Sequence, residues 1–318
     1  MVSLNRAALP AVEELMGQAG RYGITVSESR SGATVLDLGV RAPGGIEAGL
    51  KMAEICLGGL GRASLSWFEV AGLRLPAVSV WTDSPALATL GAQMAGWRLE
   101  LSGKTVLGSG PARALAKKPK RIYRTLGHDE GSDVAILALE ADVLPDDDFL
   151  SRIAGACGVE PQGLYVLVAP INSPAGLVQV VARAVEACLL KMMNLGLDVL
   201  AVRNAVGLSP LPPPHPDPDV CMGRANDSLL YGSTVWLTAD LDDDALSGAV
   251  GKLPSSSSPS YGKPFLAIYE EAGRDFYAID PGIFAPAEVV ITCLRSGRTY
   301  MAGELDEELV LRSFGLRA

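Results

Sequence analysis

From Pro161 to Ala182 the chain runs without a charged residue, long enough to cross a bilayer as one helix. Pro170, Asn172, Ser173 and Pro174 interrupt that run, and a membrane span cannot leave the freed backbone groups unsatisfied. The segment instead reads as a soluble protein's interior: a strand at Tyr165–Ala169, then a helix. Ser173 is a hydroxyl cap and Pro174 sits at the first helical position, so the helix is expected to run from Pro174 to about Leu195, before Gly196.

The rest of the chain alternates in the same way. Helical periods cover Asn5–Gly20, Glu47–Leu57, Pro85–Ala95, Asp146–Cys157 and Glu304–Ser313, while strands are expected at Ile24–Ser27, Ala33–Val40, Ser64–Val70, Ala77–Trp81, Val134–Leu139, Phe265–Tyr269 and Glu288–Cys293. Leu211–Pro218 holds five prolines and should cross the molecule extended; Ser255–Ser258 reads as a flexible loop. The fold class is therefore α/β, or mixed α+β. With 318 residues two units of ordinary size are expected, and 35 glycines promise tight turns and close backbone approaches.

Composition excludes several functions. A net charge of −9 argues against nucleic acid as a partner, and the basic run Lys117, Lys118, Lys120, Arg121, Arg124 reads as a solvated turn. The five cysteines are scattered, with no C-x-x-C pair, which fits neither a disulfide framework nor a zinc ribbon but a reducing cytoplasm. Met1–Glu14 has no apolar segment of signal-peptide type. His128 and His215 are both expected at the surface, so a histidine-based triad or metal site is hard to assemble. No P-loop occurs, and Gly108-Ser-Gly-Pro-Ala-Arg113 departs from the dinucleotide fingerprint.

The chemistry concentrates in the long helix. Between Pro174 and Leu190 its only charges are Arg183 and Glu186, spaced i,i+3. An intrahelical pair in this order contributes little, about 0.3 kcal/mol, whereas placing charges in an apolar helix is costly unless they are paired or used. A carboxylate beside a guanidinium is suited to positioning and deprotonating water. Ser109 and Arg113 lie in a glycine-rich segment that could hold an anion or a carbonyl-rich ring, and Asn226, Asp227 and Tyr261 stand in glycine-associated polar clusters that also fit turns and caps.

Several segments, in order, resemble the methenyltetrahydromethanopterin cyclohydrolase family: Glu54-Ile-Cys-Leu-Gly-Gly-Leu-Gly61, Thr82-Asp-Ser-Pro85, Gln93 with Ala95-Gly-Trp97, Gly108–Arg113, Arg183 with Glu186, Gly223-Arg-Ala-Asn-Asp227 with Tyr231-Gly232, Tyr261-Gly-Lys-Pro264, Asp280-Pro-Gly282 and Ser313-Phe-Gly315. The resemblance spans nearly the whole chain. It implies two α/β lobes flanking a large substrate cleft, approximately residues 1–125 and 126–318 with interleaved segments allowed, acting as one catalytic unit. The implied reaction is reversible hydrolysis of the methenyl bridge of 5,10-methenyltetrahydromethanopterin to the 5-formyl form. No tightly bound cofactor or metal is implied; tetrahydromethanopterin, or its dephospho form, is the substrate carrier.

Carried over by motif, Glu186 is the catalytic carboxylate and Arg183 its partner, with Gln93, Ser109, Arg113, Asn226, Asp227 and Tyr261 implied as substrate-binding. The position of Met94 is a lysine in some relatives. A homo-oligomer, typically a trimer, is implied by the resemblance; the cytoplasmic expectation rests on the cysteines, and the expectation of neither nucleic acid nor membrane as partner on the net charge and the interrupted apolar run. Two other readings stand beside this one: a non-catalytic pterin-carrier-binding paralogue and a hydrolase of another cyclic amidine.

Overall fold

Two mixed β-sheets organise the computed structural model, which describes residues 2–316. The mixed α/β class expected from the sequence is the class that forms. The chain divides into two units, residues 1–62 with 86–179, and 63–85 with 180–318.

The first unit holds β1 (Thr25–Glu28), β2 (Thr34–Asp37), β5 (Trp97–Leu101), β6 (Lys104–Ser109), β7 (Ala135–Glu140) and β8 (Leu164–Val168), ordered β1-β2-β8-β7-β6-β5. Its helices are α1 (Leu4–Gly17), α2 (Ala19–Tyr22), α3 (Ile46–Cys56), α4 (Ala112–Ala116), α5 (Lys120–Leu126) and α6 (Asp147–Cys157), with most of α7 (Pro174–Val181). Strands β2, β8 and β7 run parallel, and parallel strands are covered on both faces. Ile136 and Ala138 of β7 pack with Val12, Leu15, Met52 and Ile55 of α1 and α3. Leu137 and Leu139, pointing the other way, pack with Phe149, Leu150 and Ile153 of α6. The approximate boundary at residues 125–126 thus falls inside this unit, because β7 and β8 complete a sheet that β1, β2, β5 and β6 begin.

The second unit holds β3 (Gly61–Val70, from Ala63 on), β4 (Leu73–Thr82), β9 (Val202–Pro210), β10 (Thr234–Ala239), β11 (Glu288–Cys293) and β12 (Thr299–Gly303), ordered β12-β11-β10-β9-β4-β3. Its helices are α8 (Ala184–Asn194), α9 (Pro218–Gly232), α10 (Asp243–Ala249), α11 (Phe265–Glu271) and α12 (Glu307–Phe314). One face of the sheet is covered by α8. At Gly207 the first turn of α8 comes so near β9 that a Cβ would lie 2.9 Å from Val185 Cγ2 and 3.4 Å from Ala184 Cβ.

On the opposite face, the register aligns Trp81, Val206, Trp236, Val290 and Met301 across β4, β9, β10, β11 and β12. Trp81, Val206 and Trp236 are each about two-fifths exposed and Met301 is 65% exposed. Exposed apolar patches of this continuity mark interaction surfaces.

The structure corrects several local expectations. The helix expected over Pro174–Leu195 is two helices, broken at Ala182–Arg183. There Arg183 N–H donates to Val180 O at 3.1 Å, a tightened i−3 bond, and Arg183 sits at φ −101°, ψ 8°. Phe265–Tyr269 is the start of helix α11, not a strand: its aromatic content suits a strand, but Phe265 and Ile268 bury one helical face. Ser255–Ser258 is not a loose loop, since it forms a 3₁₀ turn whose Ser255 hydroxyl is buried on Leu230 O. His128 is buried rather than exposed, hydrogen-bonded through Nε2 to Glu130 at 2.8 Å. No helix among the described residues is long and apolar enough to cross a membrane.

Candidate active site

The break between α7 and α8 gives Arg183 and Glu186 their setting. Arg183 is the N-cap residue of α8 and Glu186 lies in its first turn, where the positive end of the helix dipole favours a carboxylate. Arg183 Nη1 stands 3.9 Å from Glu186 Oε2, with both side chains about one-tenth exposed. At this separation the pair is an electrostatic contact between neighbouring charges rather than a close bidentate fork.

Further along α8, buried Lys191 donates to Gly282 O at 2.5 Å and to Ser257 Oγ at 3.2 Å. Desolvation holds its ammonium pKa below the ordinary lysine value, against the pull of Asp280. Asp280 accepts from Ser258 Oγ at 2.5 Å and from Gly282 N at 3.0 Å. These bonds tie the catalytic-candidate helix to the segment that leads into Tyr261. The tie had no sequence signal, because its key acceptor is a backbone carbonyl.

Tyr261 is half-buried, its ring 5.0 Å from that of Tyr231, whose hydroxyl donates to Lys263 O at 2.6 Å. Asn226 and Asp227 are not in a turn but in helix α9, and Asn226 Nδ2 bonds its own helix at Met222 O, 2.9 Å away. Asp227 is 1% exposed. Both its oxygens are engaged: Oδ1 accepts from Phe265 N at 2.7 Å and Oδ2 pairs with Ser313 Oγ at 2.6 Å. Burial pushes its carboxyl up to about 7, outweighing those hydrogen bonds.

The first unit carries Gln93, Ser109 and Arg113. Gln93 ends a π-helix, Leu87–Gln93, inside the segment expected to be an ordinary helix. Gln93, Ser109 and Arg113 are all buried. Ser109 Oγ, at the end of β6, lies 3.5 Å from Ala138 O and 3.9 Å from Cys56 Sγ. Arg113 turns its guanidinium onto the carbonyls of Leu90 and Ala92. Tyr123, which sequence reasoning did not single out, donates to the carbonyl between them, Gly91 O, at 2.9 Å.

Among the described residues no group of three or more His, Cys, Asp or Glu side chains is placed to hold a metal ion. The second unit offers a carboxylate with an adjacent cation, and the first, separately, buried amide and hydroxyl groups.

Comparison with known families matches residues 3–314 to the model described as cyclohydrolase (MCH). Among curated relatives, the methenyltetrahydromethanopterin cyclohydrolase of Methanocella arvoryzae is 42% identical over 318 residues, covering 100% of this chain and 99% of the relative. Proteins of the same name from Methanothermobacter marburgensis and Methanocaldococcus jannaschii are each 43% identical over 320 residues, covering 99% of this chain and 100% and 99% of themselves.

Proposed function

Because the chain belongs to the methenyltetrahydromethanopterin cyclohydrolase family, we propose that it hydrolyses the methenyl bridge of 5,10-methenyltetrahydromethanopterin to the 5-formyl compound, and catalyses the reverse closure, with Glu186 as its base. The observation that carries the role of Glu186 is its place: a nearly buried carboxylate in the first turn of α8, 3.9 Å from Arg183.

The methenyl carbon is an amidinium-like electrophile, so the substrate arrives activated and the protein's task is positioning and modest base catalysis. Glu186 takes a proton from water as its oxygen bonds to that carbon. The bridge carbon then parts from one ring nitrogen, which recovers its electron pair and takes up a proton; the oxygen loses its remaining proton and becomes the formyl oxygen. One proton is released in all. Arg183 stabilises negative charge on Glu186 while it waits for water. Gln93, Tyr261, Ser109 and Asn226 are our candidates for contact with the carrier, and the pterin enters as substrate rather than as a resident group.

We also read the protein as a cytoplasmic homo-oligomer of three copies. Five cysteines with free thiols suit a reducing compartment, and the exposed apolar row from Trp81 to Met301 suits association with a second copy.

The test follows loss of the methenyl chromophore with wild type and Glu186→Gln. Wild type should far exceed the spontaneous rate, and Glu186→Gln should lower kcat about 10²- to 10⁴-fold. A wild type at the uncatalysed rate would end the cyclohydrolase reading; a fully active Glu186→Gln would end only the role of Glu186.

A further inference from the structure

A π-helix closes on i→i−5 bonds, and Met94 N–H donates to Thr89 O at 2.8 Å. The carbonyls of Leu90, Gly91 and Ala92 lie beyond that last bond and need outside donors. Arg113 Nη1 donates to Leu90 O at 3.3 Å and to Ala92 O at 3.1 Å, with Nη2 3.4 Å from Leu90 O. Tyr123 takes Gly91 O, and Gly110 N–H reaches Ala92 O at 3.0 Å. All three carbonyls are satisfied by residues from one later stretch of chain.

Arg113 is 0% exposed and lies over the Tyr123 ring at 5.9 Å. Gly96 clears its space, since a Cβ there would stand 3.0 Å from Nη2. A buried guanidinium is a costly way to satisfy neutral carbonyls. Its planar fork, however, fixes two of them at once, which a lysine ammonium cannot do with the same geometry. Directly after the clamped Ala92 stands Gln93, the last residue of the π-helix. Helical irregularities of this kind are frequent at functional sites.

We propose that Arg113 is a positioning residue for the carrier: it does not touch the ligand, but through the Leu90 and Ala92 carbonyls it fixes the π-helix end that presents the Gln93 amide to it. This rests on the pterin reading above and assigns Arg113 a different task from the direct contact implied by the family resemblance.

A double-mutant cycle tests it. Gln93→Ala should raise KM for the methenyl carrier about tenfold, the loss of roughly one hydrogen bond, with kcat within about twofold. Arg113→Lys should do the same, and the double variant should be no worse than the poorer single one. Tyr123→Phe, which removes only the bond to Gly91 O, should raise KM in the same direction and serves if Arg113→Lys does not fold. Multiplicative losses in the cycle, or a lowered Tm with wild-type KM, would overturn the proposal. A wild type without turnover would instead count against the cyclohydrolase reading.

Discussion

The Asp227 carboxylate accepts the Phe265 N–H at 2.7 Å, so a residue of α9 caps the first turn of α11 while its other oxygen holds Ser313 of α12 at 2.6 Å. Its carboxyl is raised from 3.8 to about 7 by burial. The folded state therefore binds this proton more tightly than the unfolded chain does. The stabilisation is full below about pH 4 and lost as pH rises toward 7. Asp227→Asn keeps an acceptor for Phe265 N–H and gains a donor for Ser313. Wild type should lose a few kcal/mol relative to Asp227→Asn between about pH 4 and 7, at about 1.4 kcal/mol for each tenfold fall in proton concentration; denaturant titrations across that range check it, and superimposable profiles would refute it.

Glu130 gives the opposite slope. Burial disfavours its charge, but hydrogen bonds from Ser3 Oγ, Asn5 and His128 and from Leu4 N–H outweigh that and hold its carboxyl below the usual value of 4.5. Its contribution is thus present above that pH and disappears as pH falls through the depressed value. Glu130→Gln should cost about 1–3 kcal/mol at neutral pH, with the gap to wild type closing on acidification. Unfolding free energies at pH 7 and below pH 4 read this directly.

How much of this was legible in the sequence depended on whether the partners were local. The β7 strand and α6 showed plainly, since Ala135–Glu140 is apolar up to its last residue and Asp146 caps the helix by accepting from Phe149 N. Arg183 and Glu186 stood out as charges in an apolar run, but the break between them and α7 did not, because Val180, Val181 and Ala182 continue the apolar pattern. Arg113 showed itself as a cation beside glycines and invited an anionic ligand. Its actual partners are backbone carbonyls about 20 residues earlier in the chain, which no residue type announces. His128 is buried against Glu130, which Ser3, Leu4 and Asn5 hold from more than 120 positions away. Asp227 likewise takes its partners from distant segments, at Phe265 and Ser313.

Arg183 should prove replaceable by lysine. The 3.9 Å ion pair with Glu186 calls for a positive charge at this position. Arg183→Lys should keep kcat within about tenfold, whereas Arg183→Met should lower it about 10²-fold by removing the charge that supports the ionised carboxylate. Steady-state kinetics on the two variants separates charge from shape; equal losses would mean that the guanidinium geometry itself is used.

The exposed apolar row on the second sheet bears on assembly. Trp236 pairs across the ladder with Val206 and Val290, which pair in turn with Trp81 and Met301, so one apolar row crosses five strands. Trp81, Val206, Trp236 and Met301 are each substantially exposed. The core face carries Val235 and Leu237 instead, both buried. Trp236→Glu therefore removes little from the fold of a single chain, its side chain being 43% exposed, but would bury an unpaired carboxylate in any contact between copies. Light scattering behind gel filtration should show three copies for wild type and a lower mass for Trp236→Glu, with circular dichroism unchanged. An unaltered oligomer would place the contact between copies on another surface.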